Sequence, residues 1–392
     1  MPIYSLTYFT NVLGFFKNEK FKKFINVIVI GLLIFMSGTR YYMGGSDVYV
    51  YESVYDSVPS VINVLKFIFT GVNNGVNDNY EHGFILICAI IKSLNFSFFG
   101  FTLIFAFLFY VLLYHGLKEF VVNWAPFWAL FMYKLMFYNT FISIRQGFTI
   151  AIFCCSLKYI RDKKWIQYFI LCFVAFYIHR GAIIMFLIYF VQFIPATKKT
   201  IGWISAIFLP TWFIRNQVNL GGLIEKIISI IGFENKSEGW AEATEPISII
   251  HTLECYIFVV LIMIFYDKIV TCSKEKEAHL ALQIFLVTIP IFTLLSNWIV
   301  MTREKDYFVL MYGVIFGYII ENGTTTPSYE IETIKRKWNI SSENAGNINA
   351  KILSLVLIVA CFIGMARYVS AFDGGALSDF ESFVTKGVSI FN

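Results

Sequence analysis

Apolar residues in this chain come in long unbroken runs separated by short charged clusters, without the alternation that would put every second side chain on one face. A helix that crosses a bilayer needs about 20 residues of this kind. By that measure spans are predicted at 24–38, 98–117, 120–141, 144–160, 165–178, 181–194, 201–214, 248–266, 280–301, 307–320 and 351–371. Continuous runs imply helices and exclude an outer-membrane barrel, whose strands would alternate apolar and polar positions. The opening stretch 1–16 mixes Tyr, Thr and Phe without charge and reads as an interfacial segment before the first span, with the N-terminus cytoplasmic. One stretch, 83–94, upsets the parity of crossings. Either it dips in and returns, or 60–72 crosses as well; the dip is the preferred reading. Irregular backbone at membrane depth is tolerated only where protein or a wet cavity covers it, so a dip would mark a site.

Composition turns this pattern into a class. The chain is 58% hydrophobic and only 15% charged, against about 25% charged in a soluble domain. Most of its surface therefore faces lipid, which excludes a soluble enzyme and a disordered chain. The fold expected is an all-α polytopic membrane protein of about 10–12 transmembrane helices, one integral membrane domain over residues 1–392 with no visible internal repeat. Basic clusters at Lys17–Lys23, Arg161–Lys164 and Lys198–Lys199, with the stretches 267–276 and 321–350, mark the cytoplasmic side. The far, periplasmic side then receives a first loop at 40–82, a large loop at 215–247, the short turns 142–146, 179–180 and 302–306, and the tail after Tyr368. Because the basic residues are scattered among these turns, the net charge of +5 gives no face for nucleic acid. The seven cysteines lie in or beside apolar runs with no CxxC spacing and read as small hydrophobes.

A charge at bilayer depth costs about 2.5–3.5 kcal/mol even on the lenient insertion scale, so each one bordering an apolar run needs a reason. On the far side these are Arg40, Arg145, His179, Arg180, Arg215, Arg303 and Lys305, with Asp47, Glu52, Glu81 and Asp306. Singly, each is explained as an anchor snorkelling to headgroups. Together they predict one cavity near the outer face. Arginine carries a permanent charge and a planar fork that matches phosphate oxygens, so the set suits an anionic, lipid-linked substrate. His179, between two apolar runs, is a candidate base. Outer-loop rings such as Tyr41, Tyr51 and Trp240 suit stacking on sugar faces. No HExxH, Cys/His cluster, DxD or nucleotide loop is present, so neither metal nor cofactor is expected. Gly44-Gly45 reads as a tight turn.

Several motifs in order then carry a family resemblance. Arg40-Tyr41-Tyr42-Met43-Gly44-Gly45-Ser46-Asp47, Glu81-His82-Gly83-Phe84, Ile144-Arg145-Gln146-Gly147-Phe148 and His179 at the opening of a span together resemble the EpsG-like family of polysaccharide polymerases, relatives in function of the Wzy O-antigen polymerases. The likeness covers roughly residues 24–190, with Arg303 and Tyr307 as a later echo. Two positions depart from the family pattern: His82 stands for a proline and Arg180 for a small residue.

The resemblance implies an inner-membrane glycosyltransferase with a GT-C-like helical bundle and a site facing the periplasm. It would transfer a growing glycan from undecaprenyl diphosphate to the non-reducing end of a new lipid-linked repeat unit. Its partners would be undecaprenyl-diphosphate-linked oligosaccharide, membrane lipid and a chain-length regulator protein. Arg145, Arg303 and Arg40 are then the candidates for the diphosphate, since charge builds there as the glycosidic bond breaks. His179, Asp47 and Glu81 compete as the base, with His179 favoured for its ordinary pKa. Gln146, Arg180 and Tyr41 are candidates for contacting substrate. The alternatives are a flippase of the same lipid-linked oligosaccharide and an O-antigen ligase.

Overall fold

The structure, a computed structural model, describes residues 1–15, 18–217, 247–271, 274–322 and 342–392. The predicted loop 215–247 falls almost wholly outside the described residues, as does the 323–341 part of the predicted loop 321–350, whose last nine residues instead begin a helix. Those described form helices, with no strand beyond two isolated bridges among them. In chain order the helices are α1 (Pro2–Val12), α2 (Glu19–Thr39), α3 (Asp47–Ser57), α4 (Val61–Thr70), α5 (His82–Ser93), α6 (Phe98–Leu117), α7 (Trp124–Lys134), α8 (Ile144–Arg161) and α9 (Trp165–Ile178). They continue as α10 (Ile184–Ile188), α11 (Lys198–Phe208), α12 (Thr211–Ile214), α13 (Ile249–Val270), α14 (Glu275–Leu286), α15 (Thr288–Phe292), α16 (Ile299–Glu304), α17 (Asp306–Asn322) and α18 (Ser342–Ala371). Among these, α2, α6 and α13, together with the apolar part of α18 from Lys351 on, are long and apolar enough to cross a membrane. The protein is an all-α polytopic membrane protein.

Local sequence sets many of the boundaries. Asn18, Ser97 and Thr197 accept bonds from the first free backbone N–H groups of α2, α6 and α11, which would otherwise lack partners. Pro210 divides the predicted span 201–214 into α11 and α12. The predicted span 280–301 does not exist as one helix. Pro290 removes a donor and crowds the carbonyl four residues back, so the run proceeds as α14 and α15, turns at 293–298, and returns as α16. The predicted span 181–194 winds instead as 3-10 turns (Arg180–Ile183 and Tyr189–Phe193) around α10. The run 120–141 is broken at Leu135, after which Tyr138–Ile142 forms a π-helix that feeds directly into α8.

α8 is the central helix, buried around most of its circumference and packed on α6, α9 and α17. Eighteen residues at about 1.5 Å each put its two ends about 27 Å apart. At one end Arg161 ties three segments together, reaching Glu119 and Glu277 at 2.6 Å and Asp162 at 2.8 Å. Lys22 and Glu321 pair directly at 3.3 Å, and the Asn123 amide also donates to Glu321 at 3.1 Å. This is the end that the basic clusters assign to the cytoplasm. Arg145 marks the other end.

The N-terminal segment corrects the expectation of an interfacial helix. Tyr4, Thr7, Tyr8 and Asn11 of α1 are buried inside the bundle. The Tyr8 hydroxyl donates to Ile358 O at 2.7 Å and the Asn11 amide to Ala125 O at 2.8 Å, while the Met1 amine bonds Ser378 O. Ser378 belongs to the tail that runs beside Arg40 and Tyr41, so α1 starts at the Arg145 end, opposite to the predicted side. Thr7, Tyr8 and Asn11 each have an internal partner, which offsets the cost of taking these polar groups from water.

α4 and α5 pack against each other, with ten and twelve residues. At 1.5 Å per residue each is about 15–18 Å long, well short of a bilayer core. As a pair they leave the parity of the chain unchanged, and the start of α5 is set against the end of α9.

Candidate active site

Three segments far apart in sequence meet at the Arg145 end. Glu81 occupies the N-cap position of α5, but its side chain does not cap its own helix. It turns to the end of α9, where Oε1 accepts from the Arg180 backbone N–H at 3.1 Å and lies 3.2 Å from His179 Nδ1. Its other oxygen pairs with the Arg145 guanidinium from the first turn of α8. The approach of α5 to α9 depends on Gly83, where a β-carbon would lie 2.5 Å from Tyr177 O.

The electrostatics follow from these contacts. Burial alone would raise the Glu81 pKa. The His179 hydrogen bond, the Arg145 charge and the Arg180 N–H outweigh it and hold the carboxyl well below its usual range. An ionised Glu81 can only accept, so His179 donates through Nδ1 and its Nε2 is left as the basic nitrogen. Burial lowers the His179 pKa, and the charges of Arg145 and Arg303 act in the same direction against Glu81. The imidazole is thus neutral and oriented, which is the state a general base requires.

Arg145 is boxed by aromatic rings, its guanidinium 5.0 Å from the centroid of Tyr80, 5.6 Å from Phe84 and 5.7 Å from Tyr51. Its side chain is 20% exposed, so one edge of the fork stays accessible. Beside this cluster lies a cavity of about 320 Å³ whose lining includes Arg303, Lys305, Lys134, His251, Glu254 and Tyr138. Arg303 joins the two. Its carbonyl accepts from the Gln146 amide at 2.6 Å, and its charge is felt by His179.

The remaining residues singled out from the sequence stand elsewhere or behind this cluster. Arg40 is 3% exposed and spends its donors on the carbonyls of Ser37 and Met43, with its charge over Phe141. It is not part of the Glu81 cluster. Tyr41 stacks on Phe99, Asp47 is exposed at the start of α3, and Gln146 is fully buried behind Arg303. Arg180 enters the cluster through its backbone. Arg215 bonds Asn297 and lies over Trp212.

Sequence reading passed over Lys134, His251 and Glu254. Lys134 pairs with Glu254, and His251 Nδ1 lies 3.0 Å from both Lys134 Nζ and Glu254 Oε2. The signal was present: these charges sit inside apolar runs, where they are expensive unless paired. Glu304 was passed over as well; it is buried beside Arg303. Among the described residues no group of three or more His, Cys, Asp or Glu is arranged to hold a metal ion.

A helical bundle with membrane-crossing helices and an oriented Glu-His pair beside a cationic cavity at one end defines a polytopic membrane protein with a polar site at one membrane face. The EpsG family model matches residues 23–328, and the chain belongs to that family. The match runs well past the motifs that first suggested it and takes in the 303–306 segment. No curated protein and no solved structure matches this chain. Family membership ties the protein to polysaccharide biosynthesis with a polymerase-like function.

Proposed function

We propose that the protein polymerises lipid-linked oligosaccharide repeat units, transferring the growing glycan from undecaprenyl diphosphate to the non-reducing end of a new repeat unit. The observation that carries this reading is the Glu81–His179–Arg145 constellation set beside the cavity lined by Arg303, Lys305 and Lys134. His179 Nε2 takes the proton of the attacking sugar hydroxyl as its oxygen bonds to the anomeric carbon. The bond from that carbon to the diphosphate oxygen breaks, and its electron pair stays on the diphosphate. Arg303 and Lys305, with Lys134 deeper in the cavity, stabilise that charge. Cations already in place need no reorganisation as the charge develops. Arg145 is half committed to Glu81 and contributes the accessible edge of its fork.

In this reading the site faces the periplasm from the cytoplasmic membrane, within reach of two lipid-anchored substrates; its position at the end opposite the basic clusters supports that orientation. A chain-length regulator protein is a natural partner for such an enzyme. Glycan display in a deletion strain tests the reading. A polymerase predicts loss of long chains while single repeat units still reach the acceptor. If no glycan reaches the acceptor, the protein is a flippase or a ligase instead.

A further inference from the structure

Gly181 separates two acid-base groups. A β-carbon at this position would lie 2.9 Å from His179 Nε2 and 2.6 Å from Glu304 Oε1, so both atoms converge on one face of the glycine. Glu304 is 7% exposed, and its Oε2 has no hydrogen-bond partner among the described residues. The segment that carries it is held by two bonds from elsewhere, Gln146 Nε2 to Arg303 O at 2.6 Å and Asn139 Nδ2 to Asp306 Oδ2 at 2.9 Å. Its placement opposite the imidazole is therefore built into the fold. The charged and titratable groups around it are Arg303 and Asp306 from its own segment, Tyr307 from α17, and His179 with Glu81 and Arg145 behind it. Burial, helped by the charge of Asp306 and opposed by Arg303, pushes the Glu304 carboxyl up to about 8. Two neighbouring groups driven in opposite directions divide into a proton donor and a proton acceptor.

We propose that Glu304 is a further catalytic residue, a neutral carboxylic acid that donates a hydrogen bond to the acceptor sugar hydroxyl while His179 Nε2 takes that hydroxyl's proton. The proposal rests on the polymerase reading above. Glu304 keeps its own proton throughout: the hydroxyl O–H bond breaks toward His179, the oxygen bonds to the anomeric carbon, and the departing electron pair goes to the diphosphate. The donated bond fixes the oxygen and aims its hydrogen at the imidazole. An ionised carboxylate there would compete with His179 for the hydrogen and repel the charge building on the diphosphate.

The test uses membranes of a deletion strain carrying each variant, with the cell's own lipid-linked repeat units as substrate and chain length read on gels from about pH 6 to 9. Wild-type activity is expected to fall above about pH 8 as Glu304 ionises. Glu304→Gln, whose amide still donates, slows polymerisation a few-fold at neutral pH and removes that alkaline fall. Glu304→Ala slows it by about 10- to 100-fold, the scale of one hydrogen bond lost in the transition state. Infrared titration of the purified protein needs no substrate. It should show a protonated carboxyl band near neutral pH that Glu304→Gln abolishes. A wild-type rate in Glu304→Ala, an unchanged alkaline fall in Glu304→Gln, or no such band overturns the proposal. If the band is present but the deletion strain loses all glycan transfer to the acceptor, it is the polymerase reading that has failed.

Discussion

Replacing Glu81 with Gln is the sharpest probe of the site, because three donors converge on that one carboxylate. His179 Nδ1, the Arg180 N–H and the Arg145 guanidinium all point at it, and its side chain is only 8% exposed. An amide keeps the shape but replaces one acceptor oxygen with a donor. It faces either His179 and the Arg180 N–H, or Arg145, donor against donor. If its NH2 meets His179, the imidazole proton moves to Nε2 and the base is lost. A positioned general base contributes roughly 10²–10⁴-fold, so Glu81→Gln should lower the polymerisation rate by about 3–5 kcal/mol of barrier. Stability should fall too. Breaking a fully buried ion pair costs about 3–5 kcal/mol, and the 20% exposure of Arg145 brings this nearer to about 2–3 kcal/mol. The assay is chain-length distribution over time in membranes, run beside thermal unfolding in detergent. Glu81→Gln combined with His179→Gln should be no slower than either alone, since both remove the same function. Full-length polymer at the wild-type rate in Glu81→Gln, or additive losses in the double variant, would refute the dyad.

Other expectations follow from the same geometry. With the His179 pKa lowered by burial, the neutral base persists below the ordinary histidine range, so the acid limb of the rate profile should lie below about pH 6.5; a limb above that value contradicts the assignment. Glu81 has a depressed folded-state pKa, so its stabilisation is complete above the ordinary carboxylate range and is lost only as pH falls through the lower folded value. Unfolding scans of wild type and Glu81→Gln should therefore differ at neutral pH and converge in strong acid. Arg145→Lys keeps the charge but cannot serve Glu81 and keep an edge of its fork free at once, and should lose about 10- to 100-fold in rate. Lys134→Met leaves Glu254 without its cation and should destabilise by about 2–3 kcal/mol, whereas the double change with Glu254→Met should recover much of the loss; thermal unfolding reads both.

Much of the fold was legible because a bilayer imposes strict rules on sequence. Phe98–Leu117 and Trp165–Ile178 appear with the predicted limits, since uniform apolar runs between charged ends leave little choice. The misses have physical causes. The span 280–301 broke at Pro290, whose effect on a helix was there to be read. The segment 1–16 was misplaced because its tyrosines, Thr7 and Asn11 resemble an interfacial belt until their partners at Ile358 and Ala125 are known. Lys134 and Glu254 went unnoticed for a related reason: each alone is an anomaly, and only pairing explains it.

By itself, the sequence determined the solvent and the helical class, because each depends on composition summed along the chain. It also narrowed the polar residues to a short set. Only the tertiary structure decided which of that set meet. Glu81 lies 64 residues from Arg145 and 98 from His179, and no local pattern records that distance being closed. Packing of α5 against α9, and of α9 beside α8, selects Glu81, Arg145 and His179 for one cluster, while Arg40 turns inward to carbonyls. The same packing brings Glu304 to His179 across a glycine, a juxtaposition set by long-range contacts.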